Sequence, residues 1–342
     1  MDGPGAPDRI LLIRLGAMGD VLLATSLVRW LKQSYPRSRI DFLTKNVYVP
    51  LLETNPHLDR VLAFSAQEGI LSLNRSVRRG TYGAVADLQG NFRSAMVSIF
   101  SSAPVRSRVR VGRVRRFLLV HCRRNAYREI VPVPIKYLRA VPFPVRDDGG
   151  GLELTVPAEA QDRADRHLGE AGWRKGDRLV ALSPGAGRST KRWPAERFAE
   201  AAQALSRQGY RIVLLGGPAD RDVCRTVAGL IRPQPLDASA RYSPLETAGI
   251  LRRAELLLTN DTGIMHMACA LDVKTVAVFG PTTRHFGFFP FRARAVVVEA
   301  DLRCRPCSYH GTAECPKRHF RCMLDISTQT VLDRAFGLLD AR

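Results

Sequence analysis

Apolar and polar positions alternate along the chain in blocks that are typical of a parallel α/β protein. Between short apolar runs, apolar residues recur at helical spacing, as they do from Val21 to Leu31. Strands that alternate with helices in this way predict parallel sheets. The sequence therefore predicts an α/β fold of doubly wound parallel sheets. The predicted strands cover residues 9–14, 39–44, 61–64, 84–88, 179–183, 211–215, 256–259 and 274–279.

The strand and helix pattern is interrupted once, near the middle of the chain. Residues 142–151 combine Pro, Gly and charged residues, which is the composition of a linker. A chain of 342 residues also suits two domains of ordinary size. We therefore expect one domain over residues 1–150, a second over 151–326, and a closing helix over 327–342.

The turn after the first strand carries a candidate catalytic carboxylate. Gly16 and Gly19 lie in this strand-to-helix turn, and Asp20 lies at the start of the helix. The turn lacks the Gly-x-Gly-x-x-Gly pattern of a dinucleotide site, and an Asp would repel a pyrophosphate. Asp20 suits proton abstraction better, although an Asp at a helix start also serves as an ordinary N-cap.

Two turns in the second half of the chain have the character of phosphate sites. The first follows the strand that ends at Ser183 and combines Gly185 with two hydroxyl residues and Lys191. It is rich in glycine, hydroxyls and positive charge, but it is not a Walker loop. The two hydroxyl residues are Ser189 and Thr190.

The second turn, Asn260 to His266, joins a strand to a helix. Backbone N–H groups and the positive end of the helix dipole favour an anion at such a place, and Gly263 lets a ligand approach the backbone. An ordinary N-cap at Asp261 or Thr262 explains the same residues. Because Asp261 is itself negative, we expect the N–H groups of Thr262 and Gly263, and not the carboxylate, to face a phosphate.

The chain is strongly basic. Lys and Arg number 52 against 32 Asp and Glu, which gives a net charge of +20 and a pI near 10.4. Such a charge favours an anionic partner: nucleic acid, a phosphorylated substrate or an acidic membrane surface. Nine arginines fall between residues 106 and 128. They suit phosphate or carboxylate recognition, and a solvated surface would explain them equally well.

Cysteine usage carries two expectations. Seven cysteines without a secretory pattern favour a reducing cytoplasm, and no apolar stretch approaches the ~20 residues needed to span a bilayer, so we expect a soluble or peripheral protein. Four of the cysteines fall within one segment, which predicts a structural zinc or iron site, with free thiols as the alternative. These four are Cys304, Cys307, Cys315 and Cys322.

Taken together and in order, these motifs resemble glycosyltransferase family 9, the ADP-heptose:lipopolysaccharide heptosyltransferases. The resemblance rests on residues 16–20, 87–94, 184–194 and 261–266 and spans nearly the whole chain. Lys-Arg-Trp-Pro at 191–194 and the cysteine-rich segment are more similar to the second heptosyltransferase than to the first. The resemblance implies a GT-B fold, two Rossmann-like domains facing a cleft, and an inverting transfer that needs no metal or other cofactor.

The family's functional residues map onto this chain. The resemblance implies that Asp20 is the general base and that Lys191 neutralises the departing diphosphate. Ser189 and Thr190 lie closer to Lys191 than the hydroxyl pair of the first heptosyltransferase does. The implied donor-binding residues are Gly185, Ser189, Thr190, Asp261, Thr262, Gly263 and His266, and the acceptor-binding candidates are Gly19, Gln89, Arg93, Arg113, Arg115 and Arg116.

The resemblance also implies the partners. They are an ADP-heptose donor, a heptosylated lipid A–Kdo acceptor and the anionic cytoplasmic face of the inner membrane, which would account for the basic excess. Another sugar nucleotide or a protein acceptor remains open within the family. Nucleic-acid binding is not expected, because aromatic residues make up only 7% of the chain and do not alternate with basic ones.

Overall fold

The computed structural model describes residues 7–65, 75 and 77–341, and these form two compact units. Unit 1 contains the described residues up to Gly112 together with Val131–Thr155. Unit 2 contains Arg113–Ile130 and the described residues from Val156 onward. Residues 1–6, which belong to the predicted first domain, lie outside the described residues, as does residue 342 of the predicted closing helix.

Unit 1 is built on a five-stranded parallel sheet with the order β3-β2-β1-β4-β5. Its strands are β1 Arg9–Ile13, β2 Arg39–Lys45, β3 Arg60–Phe64, β4 Ala84–Asp87 and β5 Val105–Arg108. The helices whose full range the structure describes in this part of the chain are α1 Met18–Leu23, α2 Thr25–Ser34, α3 Phe92–Phe100, α4 Arg113–His121 and α5 Val133–Leu138. Of these, α4 belongs to unit 2.

The central strand of unit 1 is β1, because Ile10 to Ile13 are fully buried and hydrogen-bonded neighbours flank them on both sides. From β1 the chain builds outward through β2 and β3 on one side, and through β4 and β5 on the other. The strand order therefore reverses between β1 and β4. Ligands of doubly wound sheets bind beyond the carboxyl ends of the strands at such a reversal, which here means the segments after Ile13 and Asp87.

Unit 2 is built on a six-stranded parallel sheet with the order β11-β10-β9-β6-β7-β8, so its order reverses between β6 and β9. Its strands are β6 Leu179–Ser183, β7 Arg211–Leu214, β8 Leu236–Asp237, β9 Ala254–Asn260, β10 Lys274–Phe279 and β11 Ala295–Glu299. Its remaining helices are α6 Ala158–Glu170, α7 Ala195–Arg207, α8 Arg221–Leu230, α9 Pro244–Arg252, α10 Gly263–Ala270, α11 Arg321–Leu324 and α12 Thr328–Asp340.

The last helix, α12, completes the core of unit 2. Val331 and Ala335 are buried in the same apolar cluster as Phe198 of α7 and Leu258 of β9. The Ser327 hydroxyl accepts a hydrogen bond from the Thr330 N–H and so caps the helix start. The helix that the sequence predicts at the end of the chain is therefore present, and it is integral to unit 2.

The α/β fold class predicted from the sequence is confirmed, and each predicted strand is present with ends shifted by at most two residues. The expected first domain, residues 1–150, includes Arg113–Ile130, but the structure places this segment in unit 2. There the Arg116 guanidinium stacks 3.8 Å above the Tyr309 ring, and Arg123 donates a hydrogen bond to the Pro306 carbonyl. None of the helices in the described residues is both long enough and apolar enough to cross a bilayer.

Candidate active site

Asp20 lies in the first turn of α1, just beyond the carboxyl end of β1. It is the third helical residue, so it is not the N-cap, a position that Ala17 occupies. One carboxylate oxygen, Oδ2, accepts the Ala17 N–H at 3.3 Å and lies 2.6 Å from Arg14 Nη2. The other oxygen, Oδ1, lies 3.4 Å from the Tyr137 hydroxyl. The side chain remains 18% exposed, so a carboxylate held on two sides still reaches solvent.

The segment that carries Asp20 is tied to the neighbouring strand β4. Arg14 Nη1 donates to the Leu88 carbonyl at 2.8 Å, and the Leu15 N–H donates to Gln89 Oε1 at 3.1 Å. Gln89 therefore holds the backbone ahead of Asp20. Asp87, which is 1% exposed, holds this second turn in place by accepting the N–H groups of Gln89 and Gly90.

Three residues of this arrangement were not among the predicted site residues: Arg14, Asp87 and Tyr137. Arg14 directly follows the apolar strand β1. Its side chain reaches the turn after β4 because β4 is the neighbour of β1 at the reversal of strand order. Asp87 stood in a predicted motif, but its buried position at the end of β4 is what identifies it as a turn-forming residue. Tyr137 lies on α5, more than a hundred residues from Asp20, and no local pattern indicates their contact.

Two other predicted acceptor residues of unit 1 differ in exposure, since Gly19 is buried and Arg93 is exposed. Gly19 lies within α1. Gly16, two residues before the helix, has a φ of +146°, and a Cβ there would lie 2.8 Å from the Tyr48 ring. This position therefore requires glycine. Arg93 is exposed at the start of α3, with its guanidinium 5.4 Å from the Phe64 ring centre.

In unit 2, Lys191 and Asp261 form an ion pair. Lys191 Nζ lies 2.6 Å from Asp261 Oδ2, and the two side chains are only 16% and 10% exposed. The Thr282 hydroxyl donates to the same carboxylate oxygen at 3.1 Å. Asp261 therefore holds the lysine and is itself held by the turn after β10. The N-cap of α10 is Thr262, whose side chain makes no capping hydrogen bond.

Asn260 joins the two turns at the strand reversal of unit 2. Its amide nitrogen donates to the carbonyls of Pro184 and Gly185 at 2.9 and 3.2 Å, and its Oδ1 accepts the Trp193 N–H at 3.0 Å. Asn260 is fully buried, so these bonds satisfy it without water. It was not predicted as a site residue, yet it fixes the distance between the ends of β6 and β9.

Gly185 and His266 are both placed by close packing. A Cβ on Gly185 would lie 2.1 Å from Asp220 Oδ1, so no other residue fits without moving the turn before α8. His266 is 3% exposed on α10, which Gly263 begins. The structure thus brings Gly185, Asp261, Thr262, Gly263 and His266 to the carboxyl ends of β6 and β9, where the sequence expected them.

Ser189 and Thr190 direct their hydroxyls at another part of the protein. The Ser189 hydroxyl donates to the Ala313 carbonyl at 2.7 Å. The Thr190 hydroxyl donates to the Thr312 carbonyl at 2.9 Å and accepts the Thr312 N–H at 2.8 Å. Both hydroxyls therefore bond to the cysteine-rich segment.

Arg113, Arg115 and Arg116 lie on α4 in unit 2, whereas Asp20 lies in unit 1. Arg113 and Arg115 are exposed. Arg116 is partly buried against Tyr309 and also approaches Tyr127, where burial raises the pKa of the Tyr127 hydroxyl and the Arg116 charge opposes that rise.

The four clustered cysteines are free thiols, three of them partly exposed and Cys322 buried. Burial, followed by the neighbouring cysteines, raises the pKa of Cys322 to about 11. Burial, followed by the charges of Cys304 and Cys315, also raises the pKa of Cys307. Across the described part of the chain, no three or more His, Cys, Asp or Glu side chains are grouped so as to hold a metal ion.

Known proteins resemble this chain in sequence and in fold, and a protein family matches it. The chain is 28% identical to lipopolysaccharide heptosyltransferase 2 of Salmonella typhimurium, over 97% of this chain and 98% of that protein. The crystal structure of the family 9 glycosyl transferase from Veillonella parvula matches with a TM-score of 0.81 and 24% identity, over 98% of each chain. E. coli ADP-heptose lps heptosyltransferase II matches with a TM-score of 0.75 and 24% identity, over 97% of this chain and 98% of that one.

These structural matches confirm the predicted GT-B fold class. Residues 70–317, which include most of the motifs described above, match the model of glycosyltransferase family 9 (heptosyltransferase). That match covers well over half of the sequence. The chain therefore belongs to glycosyltransferase family 9 and is a glycosyltransferase.

Proposed function

We propose that this protein transfers heptose from ADP-heptose to the lipopolysaccharide inner core, in the manner of the heptosyltransferase 2 relatives. One observation carries the proposal: in a chain similar to those relatives over nearly its whole length, Asp20 and the Lys191–Asp261 pair stand at the strand reversals of the two sheets. Those are the places where doubly wound sheets bind ligands.

Asp20 acts on the acceptor. Its carboxylate takes the proton of an acceptor hydroxyl while that oxygen attacks the anomeric carbon of the heptose. The new C–O bond forms as the bond from the anomeric carbon to the diphosphate oxygen breaks on the opposite face, so the configuration inverts. Arg14 and the Ala17 N–H both hold Oδ2, whereas Oδ1 faces the more distant Tyr137 hydroxyl at 3.4 Å, so Oδ1 is the oxygen for proton transfer.

Lys191 acts on the donor. Its ammonium group supplies the positive charge that the departing ADP requires, and Asp261 fixes the direction of the side chain. The N–H groups of Thr262 and Gly263, at the start of α10, add donors for the phosphate oxygens. Fixed donors of this kind lower the barrier without a metal ion, and we propose a metal-independent reaction.

We propose that the protein works at the anionic cytoplasmic face of the inner membrane, where a lipid A–Kdo acceptor lies. The support is helix α4, which exposes Val114 and Phe117 by 72% and 57% beside the exposed Arg113 and Arg115. Apolar side chains among arginines suit an interface with negatively charged lipid. Arg93, on unit 1, is a second candidate for contact with acidic groups of the acceptor.

We also propose a structural zinc or iron at Cys304, Cys307, Cys315 and Cys322. The donor chemistry fits, because four thiolates are the usual ligand set for a tetrahedral zinc or iron. The thiols are free, but they are not drawn together into a ligand group in this structure, so the segment would have to close around the ion. Such an ion would hold the loop together and take no part in the transfer.

A transfer assay with a matrix of donors and acceptors tests the proposed function. ADP-heptose, ADP-glucose and UDP-glucose are each offered with lipid A–Kdo that carries no heptose or one heptose. We expect product only with ADP-heptose and more product with the acceptor that carries one heptose. Product with another nucleotide sugar would assign this chain to a different branch of the family.

A further inference from the structure

The cysteine-rich segment touches the turn that carries Lys191. Its residues 311–313, which we call the strap, lie midway between Cys307 and Cys315. The strap contacts the Lys191 turn through hydrogen bonds between its backbone at Thr312 and Ala313 and the Ser189 and Thr190 hydroxyls, and through the close approach of Gly311. The segment is therefore packed against the donor-side lysine.

Thr190 and Thr312 are joined by a reciprocal pair of bonds. The Thr190 hydroxyl donates to the Thr312 carbonyl at 2.9 Å and accepts the Thr312 N–H at 2.8 Å, while the Thr190 N–H donates to the same carbonyl at 3.3 Å. Thr190 is only 4% exposed. One side chain thus satisfies both backbone groups of Thr312, and the residue after Thr190 is Lys191.

Gly311 is the point of closest approach. Its φ is +83°, and a Cβ on it would lie 2.9 Å from Lys191 Cγ and 3.0 Å from Arg188 Cβ. The lysine stem therefore runs directly over the backbone of the strap. This contact restricts where the stem can go, because any added atom at Gly311 would displace it.

The same segment also holds the partner of Lys191. Arg305 donates through Nη2 to the Thr282 carbonyl at 3.1 Å and through Nε to the Gly280 carbonyl at 2.5 Å. The Cys307 N–H donates to the Pro281 carbonyl at 3.2 Å. Thr282 in turn bonds the Asp261 carboxylate, so one segment supports both sides of the Lys191–Asp261 pair.

We propose that the strap positions Lys191 for the donor diphosphate, and that Thr190 and Gly311 are positioning residues of the transfer reaction. The inference rests on the proposed function, because it assigns a role within the donor site. The hydroxyl of Thr190 serves the strap and not the phosphate. The cysteine-rich segment is thus part of the donor site's support.

The competing account is that the Thr190 hydroxyl binds the diphosphate directly and that the strap is incidental. The two accounts agree on Thr190→Val, which should weaken donor binding in either case, and on Thr190→Ser, which should restore it. They differ at Gly311, which has no side chain to offer a ligand. The two accounts differ again in a Lys191→Met background. A residue that acts through the lysine should have no further effect on ADP affinity there, because the lysine it positions is absent.

The experiment measures ADP affinity by calorimetry and the steady-state KM and kcat for ADP-heptose. The variants are Thr190→Val, Thr190→Ser, Gly311→Ala and Lys191→Met, together with the doubles Thr190→Val/Lys191→Met and Gly311→Ala/Lys191→Met. Gly209→Ala is the matched control, because Gly209 has a φ of +84° and a Cβ there meets nothing within 4 Å. It carries the same backbone cost as Gly311→Ala without a contact to the lysine.

We expect Thr190→Val and Gly311→Ala each to weaken ADP binding and raise KM by roughly tenfold, and Thr190→Ser and Gly209→Ala to remain within about twofold of the wild type. Neither single change should weaken binding further in the Lys191→Met background. Normal ADP affinity in Gly311→Ala, or a full further loss when Thr190→Val is added to Lys191→Met, would overturn the inference. A wild-type protein that binds no ADP would instead refute the proposed function, and the two failures are therefore distinct.

Discussion

Arg14 Nη2 lies 2.6 Å from Asp20 Oδ2, and the same guanidinium donates to the Leu88 carbonyl across the strand reversal of unit 1. The arginine thus joins the proposed base to the adjacent strand. Because the two side chains are only 11% and 18% exposed, the pair is shielded from most solvent screening and holds the carboxylate in one orientation. A base that is fixed before the acceptor arrives needs no reorganisation during the reaction.

Asp20→Asn tests this base. Asn keeps an oxygen that can accept the Ala17 N–H but cannot take a proton, so we expect kcat to fall by about 10²–10⁴ while the protein stays folded. Loss of the charge opposite Arg14 should cost about 1–2 kcal/mol of unfolding free energy. The control is Asp8→Asn, because Asp8 is an exposed residue just before β1. This substitution should change neither kcat nor the unfolding free energy. Near-normal turnover by Asp20→Asn would rule out Asp20 as the base.

Lys191→Met tests the donor side. Met keeps much of the length of the side chain and removes the charge, so we expect ADP affinity to fall by about tenfold to a hundredfold. Calorimetric titration with ADP measures the change. Lys175→Met removes an exposed lysine of the same unit and should leave ADP binding unchanged. Equal ADP affinity in the Lys191 variant and the wild type would remove the lysine from the donor site.

Asp148 should make the stability of unit 1 depend on pH. Its carboxylate accepts Arg29 Nε at 2.7 Å and Trp30 Nε1 at 2.6 Å, and the Arg29 hydrogen bond is the main reason that its pKa lies well below the ordinary value. A folded-state pKa below the unfolded one stabilises the protein above about pH 4, and this stability is lost as the pH falls further. Asp148→Asn should therefore cost about 2 kcal/mol at pH 7 and flatten the acid dependence.

Denaturant unfolding of the wild type and Asp148→Asn between pH 7 and pH 3 checks this expectation. The exposed Asp222 in unit 2 provides the control substitution, Asp222→Asn, since 98% of its side chain is accessible. If the difference in unfolding free energy between the wild type and Asp148→Asn stays constant from pH 7 to pH 3, the Arg29–Asp148 pair does not cause the expected loss of stability in acid.

Metal analysis and thiol labelling test the four-cysteine proposal. We expect about one zinc or iron per chain, and slow alkylation at the partly exposed Cys304, Cys307 and Cys315 until a chelator removes the ion. Cys122 is exposed and should label first, whereas burial raises the pKa of Cys224 and Cys269 to about 12 and should keep both slow with or without metal. A metal-free protein in which Cys304, Cys307 and Cys315 label at the same rate before and after chelation would contradict the proposal.

The sequence predicted those parts of the site that depend on local pattern. Asp20 follows a buried strand and precedes a helical repeat, and Asp261 does the same in the second half, so both were expected at the carboxyl ends of parallel strands. Glycine at 185 was likewise recognisable as part of a turn. These features are local because strand, turn and helix follow one another within about 20 residues.

The sequence could not predict contacts made at long range. Ser189 and Thr190 have the residue types of phosphate ligands, yet their hydroxyls bond to backbone groups more than 120 residues away. Arg116 belongs to a run of arginines, and nothing in that run indicates that it stacks on Tyr309 in unit 2. In both cases the side chain fits several partners equally well, and the fold selects one of them.

The most direct test of the central claim is the mass of the acceptor after reaction. Purified protein is incubated with ADP-heptose and lipid A–Kdo that carries one heptose, beside the Asp20→Asn variant as the inactive control. The account predicts a product heavier by one heptose, with release of one equivalent of ADP, from the wild type alone. Unchanged acceptor mass with the wild type, or equal product from the Asp20→Asn variant, would contradict it.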